Sequence, residues 1–157
     1  MEYAPRLAPR IEPGNTLHEV RRPRRDGLWV SRTAEEDLQF ALSARRNLLV
    51  TGPDARVTAL LHDLLADSEQ TTVIACGNDQ LQLPSSGPAR GTLVLRDVDA
   101  LNAIEQAQLA TWIAVGETDI HLITTASTSL LQQVEAGSFD ATLYYRLNIV
   151  YIAIDSE

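Results

Sequence analysis

The chain of 157 residues contains no lysine; all thirteen of its basic residues are arginine. That one absence excludes a lysine that grips phosphate, a Schiff-base lysine and a lysine general base. Cysteine is nearly absent too. Cys76 is alone, so no internal disulfide can form, and its β-branched, apolar neighbours make it a small buried strand residue rather than a reactive thiol. The three histidines, His18, His62 and His121, are scattered without metal-ligand spacing, so no metal site is expected. Every apolar run breaks within about ten residues, which is too short for a membrane span. The first thirty residues carry Glu2, Glu12 and Glu19 and have no apolar core of the kind a secretory signal needs. A cytoplasmic protein is expected.

Charge is unevenly placed. Residues 1–46 hold nine arginines against seven acids, and residues 47–157 hold four against fourteen. The globular part is therefore strongly acidic and repels polyphosphate and nucleic acid at long range. Residues 1–27 combine Pro5, Pro9, Pro13, Gly14, Pro23 and Gly27 with the run Arg21-Arg22-Pro23-Arg24-Arg25. Such a segment buries too little apolar surface to offset its ordering entropy, so it reads as a flexible arm ahead of one domain over 28–157. A solvated linker is one reading of the arm. The others are contact with an acidic partner surface, or with DNA through Arg21, Arg22, Arg24 and Arg25.

Beyond the arm, Leu28-Trp29-Val30 anchors the chain. Thr33 with Glu36 forms a capping box for a helix to about Arg46, with Leu38, Ala41 and Leu42 on one face. A β–α alternation follows. Strands are expected over 47–51, 71–76, 92–96, 120–125 and 149–154, and helices over 56–67, 103–115, 128–136 and 139–147. The helix at 56–67 carries Val57, Leu60, Leu61, Leu64 and Leu65 at helical spacing, and that at 103–115 turns Leu109, Trp112 and Ile113 inward. Residues 77–90 have the composition of a loop. Strands alternating with helices imply a parallel sheet covered on both faces, with ligands beyond the carboxyl ends of the strands, where Gly52, Asp97 and Ser127 gather.

One stretch has the layout of a phosphate-binding loop. Asn47-Leu48-Leu49-Val50-Thr51-Gly52 is a buried strand running into a glycine turn, and Pro53-Asp54-Ala55-Arg56-Val57-Thr58-Ala59-Leu60 leads into a helix. The working form needs a second glycine, a lysine and a hydroxyl; counting from Gly52, those places hold Val57, Thr58 and Ala59.

Three stretches together resemble the AAA+ domain of sigma-54-dependent transcription activators. They are Thr51-Gly52 before a helix, Gly91-Thr92-Leu93-Val94-Leu95-Arg96-Asp97-Val98-Asp99, and Phe139-Asp140-Ala141-Thr142-Leu143-Tyr144-Tyr145-Arg146-Leu147-Asn148. The last is the most specific. The resemblance spans about 28–154, and in the family the segment like Leu28-Trp29-Val30 lies by the adenine. It implies a three-layer, P-loop NTPase-like AAA+ core with a five-stranded parallel sheet, here lacking the helical lid.

The chemistry that the resemblance implies is interrupted at most of its positions. Where the family supplies glycine, glycine and lysine, this chain has Ala55, Val57 and Thr58. Where it supplies a metal-organising aspartate and a water-orienting glutamate, this chain has Arg96 and Asp97. An arginine cannot hold a metal ion. Asp97 and Asp99 are expected to cap the following helix or to pair with Arg96. The sensor asparagine becomes Ser127. Of the two arginines that the family presents to a neighbouring subunit's phosphate, the first is Asp140 and the second survives as Arg146, either as a finger in trans or as a locally paired helix arginine. Between Cys76 and Gly91 the family's sigma-contacting insertion is replaced by a short turn, so direct remodelling of a sigma factor is not expected.

The expectation is a non-hydrolysing, pseudo-ATPase module of bacterial transcriptional regulation or signal transduction. It has no catalytic residue and no cofactor, and it acts by contact with a protein such as an intact AAA+ activator through Tyr144, Tyr145 and Arg146. The alternatives are a residual ATP- and magnesium-binding domain that retains Thr51, Gly52, Val57, Thr58, Arg96, Asp97 and Ser127 as its site, and a nucleic-acid contact through the arm.

Overall fold

A computed structural model of the chain describes residues 21–23, 29–66, 70–77, 80–84, 90–115 and 119–154. A short antiparallel pair, β1 (Arg21–Pro23) and β2 (Trp29–Ser31), leads directly into α1 (Arg32–Ser43). Then come β3 (Leu48–Thr51), α2 (Asp54–Leu65), β4 (Thr71–Ala75), β5 (Arg90–Arg96) and a 3-10 turn (Val98–Ala100). They are followed by α3 (Ala103–Val115), β6 (Asp119–Ala126), α4 (Leu130–Ala136), α5 (Ala141–Leu147) and β7 (Val150–Ala153). Every expected strand and helix is present. Because β2 runs straight into α1, the helix starts at Arg32, so Thr33 lies inside it and is not the N-cap expected. Most of the arm, with Arg24, Arg25 and the anchor residue Leu28, lies outside the described residues; Arg21–Pro23 pair with Trp29–Ser31.

The main sheet has five parallel strands in the order β4-β5-β6-β3-β7. From β3 the chain moves three places one way to the edge strand β4. Every later crossover moves back the other way. Right-handed crossovers therefore place α2 on one face and α3, α4 and α5 on the other. The side chains of β3 divide accordingly. Leu48 and Val50 pack with Leu38 and Ala41 of α1 and with Val57, Leu60 and Leu61 of α2. Leu49 packs on the opposite side with Leu109, Leu143 and Leu147. The helical spacing at 57–65 is thus a core stripe, with Leu64 and Leu65 at its margin.

The described residues between β4 and β5 are pinned to α3. Leu81 is buried, Gln108 Nε2 donates to the Leu81 carbonyl at 3.1 Å, and the Trp112 indole donates to the Pro84 carbonyl at 2.9 Å. Cys76, one residue past β4, is buried, and burial with nearby carboxylates pushes its thiol up to about 12. It is an inert core residue at neutral pH.

His121 on β6 is buried, and its Nε2 lies 2.6 Å from the Arg46 carbonyl oxygen, to which the neutral ring donates. Burial lowers its pKa, the carbonyl opposes this, and Arg45 adds to the lowering. The folded state therefore binds a proton less readily than the unfolded chain. His121 contributes stability that is complete above the unfolded value and is lost as pH falls through and below it. The urea midpoint is expected to drop between about pH 7.5 and about pH 5.5, and less steeply in His121→Gln.

Candidate functional site

The carboxyl ends of β3, β5 and β6 bring the expected site residues to one end of the sheet, where they divide into three groups. At the end of β3, Thr51 is buried and its hydroxyl lies 2.7 Å from the Tyr151 hydroxyl of β7. Gly52 follows with φ of +152°, and a Cβ there would sit 2.8 Å from the Ile154 carbonyl oxygen and 2.9 Å from the Ile154 Cβ. The glycine is required by the close passage of the chain after β7.

The second group is formed by α2 and β5. The helix begins at Asp54, two residues earlier than periodicity indicates, so Asp54 stands in its first turn and not in a loop. The Arg56 and Val57 N–H groups both donate to the Pro53 carbonyl at 3.0 Å. A phosphate nest needs successive N–H groups turned toward the anion, and these two are already committed within the helix. Val57 lies in the hydrophobic core. Thr58 is on the exposed side of α2, and Arg96 reaches it from the end of β5: Nη2 donates to Thr58 Oγ1 at 2.7 Å and to Asp54 Oδ1 at 2.5 Å. The guanidinium thus bridges Thr58 and the head of the helix. The Asp54 carboxylate also complements the positive end of the α2 dipole. Asp54 is 74% exposed, so the ion pair on its own contributes at most about 1 kcal/mol.

The third group follows β5. Asp97 has a left-handed backbone, φ 60° and ψ 49°, and its N–H donates to Thr125 Oγ1 at 3.2 Å. Burial and then the charge of Asp99 hold its carboxyl above the usual carboxylate range, against the pull of Arg96. Asp99 Oδ2 accepts from Ser127 Oγ at 3.1 Å and from Thr128 Oγ1 at 2.9 Å. The expectation that Asp97 or Asp99 caps α3 is not met. Asn102 and Glu105 do so reciprocally, each backbone N–H donating to the other's side chain at 2.9 Å. This Asn-x-x-Glu spacing is itself a capping-box signal. The salt bridge of Arg96 goes to Asp54, not to either neighbouring aspartate.

Over residues 30–155 the sequence matches the sigma-54 interaction domain. The chain belongs to that family. NtrX from Brucella abortus in complex with ATP superposes with a TM-score of 0.61 at 16% identity, over 78% of this chain and 34% of that one. The P-loop NTPase domain of the sigma-54 transport activator from E. coli does so with a TM-score of 0.51 at 20% identity, over 76% of this chain and 95% of that one. At these identities the likeness is one of fold, a P-loop NTPase-like AAA+ core. The chain spans about a third of NtrX. No curated protein matches the sequence.

The family's signature helix is α5, and its residues are held by the sigma-54 interaction domain's own packing. Phe139 is buried, and Asp140 caps α5 by accepting from the Leu143 N–H at 2.8 Å. Arg146 Nη1 donates to the Ala110 carbonyl of α3 at 3.1 Å. Tyr144 is half-buried and accepts from Asn148 Nδ2 at 2.9 Å, while Tyr145 stacks edge-on against it and is 68% exposed. Sequence reasoning missed Gln106. Buried within α3, its amide donates to the Leu101 and Ser138 carbonyls at 2.9 and 3.0 Å and accepts from the Asp140 N–H at 2.8 Å.

Proposed function

We propose that this sigma-54 interaction domain neither holds nor hydrolyses a magnesium nucleotide and acts by protein contact in transcriptional control. The observation that carries the reading is Arg96. Its guanidinium stands where the metal-organising carboxylate would be and bonds to Thr58 in the lysine's place and to Asp54 at the helix head. The donor set at this end of the sheet does not fit a metal–triphosphate complex. It offers a cation where a carboxylate is needed, a carboxylate where phosphate would approach, and a core valine where backbone must open toward oxygen. Losing the lysine and the metal together removes several charge-assisted contacts of about 1.5–3 kcal/mol each, enough to move a micromolar site to millimolar or weaker. Among the described residues no group of three or more His, Cys, Asp and Glu is placed to hold a metal ion, and no helix is long and apolar enough to cross a membrane. A cytoplasmic location accords with the reading.

Calorimetry on the whole chain with millimolar ATP and magnesium is expected to show no saturable heat, and a phosphate-release assay no turnover. Saturable, magnesium-dependent binding would sink the proposal and favour the residual nucleotide binder. The contact surface in this reading is the exposed side of α5 around Tyr145, with Tyr144 and Arg146 behind it, and the partner is an intact AAA+ activator. Tyr145→Ala is expected to change stability by no more than about 0.5 kcal/mol and to abolish co-purification with such an activator. Arg146→Ala also removes the bond to Ala110, so it lowers stability and is the less clean variant.

A further inference from the structure

Besides the group around Arg96, the same end of the sheet carries a cleft on its other face. Arg96 follows Val94 by two residues and shares its face, the side packed against α2. Thr51 follows Leu49 by two and faces the side of α3, α4 and α5. There a cleft of about 430 Å³ opens between β3, β7, α4 and α5, walled by Leu49, Thr51, Tyr151, Tyr144, Gln132 and Glu135. That volume lies within the range of roughly 300–1,000 Å³ seen for small-ligand sites.

The chemistry of the wall selects the ligand. Among the described residues no basic side chain lines the cleft, and Glu135 brings its one carboxylate. Thr51 and Tyr151 share a hydroxyl–hydroxyl hydrogen bond, and Asn148 donates to the Tyr144 oxygen, which leaves the Tyr144 O–H free to donate in turn. Burial holds the Tyr144 phenol above its usual range, so it stays protonated at neutral pH. Two phenol rings, neutral hydroxyls and a carboxylate, in a domain with a large acidic excess, disfavour an anion and favour a cation that also has an apolar body.

We propose that this cleft binds a small organic ammonium ion. The ammonium head sits at Glu135, and the body lies against Tyr144, Tyr151 and Leu49. The site is independent of whether nucleotide binds near Arg96, because the two lie on opposite faces of the sheet.

The test uses the full chain and an isosteric pair, choline and the neutral 3,3-dimethylbutan-1-ol, with the Tyr144 and Tyr151 ring resonances followed by NMR. Choline is expected to shift both rings with millimolar saturation, and the neutral isostere to bind at least about tenfold more weakly. Glu135→Gln changes an exposed side chain, and it is expected to weaken choline about fivefold while leaving the isostere unchanged. Equal affinity for the two probes would overturn the proposal, since the cleft would then be an apolar slot without charge selection. Unmoved rings at saturating choline would overturn it as well. So would ADP shifting these rings where choline does not, which would make the cleft a nucleotide site.

Discussion

Gly52→Val is expected to destabilise the domain by about 3–4 kcal/mol, a large part of the roughly 5–15 kcal/mol that holds a domain of this size. Two effects add. A φ of +152° is a backbone region that residues with a Cβ rarely adopt. The new Cβ would also press on the Ile154 carbonyl at 2.8 Å and on its Cβ at 2.9 Å. The chain cannot relax by moving Ile154 away, because Ile154 is buried and its N–H donates to the Thr51 carbonyl at 2.7 Å, closing the β3–β7 ladder. Either the ladder loses that bond or Gly52 shifts at the head of α2. In a thermal melt the effect corresponds to a fall of about 6–16 °C. Gly52→Ala should lose less, with the same sign. Urea unfolding would check both variants, and a Gly52→Ala midpoint equal to the parent's would remove the argument that this glycine is kept for packing.

Gln106→Leu is expected to cost about 3 kcal/mol although it keeps the side-chain volume. The amide makes three hydrogen bonds that tie the start of α3 to the turn between α4 and α5. Replacing it with an isosteric apolar group leaves the Leu101 and Ser138 carbonyls and the Asp140 N–H without that partner. Each lost bond to a buried polar group costs about 1 kcal/mol or more. Since the Asp140 N–H precedes the capped helix α5, its hydrogen exchange should quicken more than that of the sheet amides. If stability fell but exchange at Asp140 kept pace with the global rate, the clamp would not be local. Phe139 and Asp140 position α5 through packing, a helix cap and the bond to Gln106, none of which needs a nucleotide.

Much of the architecture was legible in the chain. The spacing of Val57, Leu60, Leu61, Leu64 and Leu65 marked a helix with one buried face, and the β-branched runs marked strands, because burial repeats with the local geometry of the backbone. The burial of Cys76 and the inward face of α3 followed in the same way. The start of α2 was misplaced. Gly52-Pro53 suggests a loop, yet Pro53 serves as the N-cap residue and the helix turns at once at Asp54. The Asn102–Glu105 capping box was legible and overlooked. The partners of Arg96 were not legible, since Asp54 and Thr58 lie 42 and 38 residues away along the chain.

The sequence alone determined which side chains the chain can bring to the end of the sheet, because a residue type is fixed whatever surrounds it. The chain holds no lysine, and position 96 is an arginine. The periodicities also determined the order of strands and helices. Only the tertiary structure decided what the remaining groups do instead. It joins Arg96 to Asp54 and Thr58, sets Gly52 against Ile154, gathers three backbone groups onto Gln106 and opens a hydroxyl-lined cleft behind β3. The physical reason is that secondary structure follows from interactions a few residues apart. Side-chain partnerships across parallel strands depend on register and crossover handedness, which bring together residues with no local signal of one another.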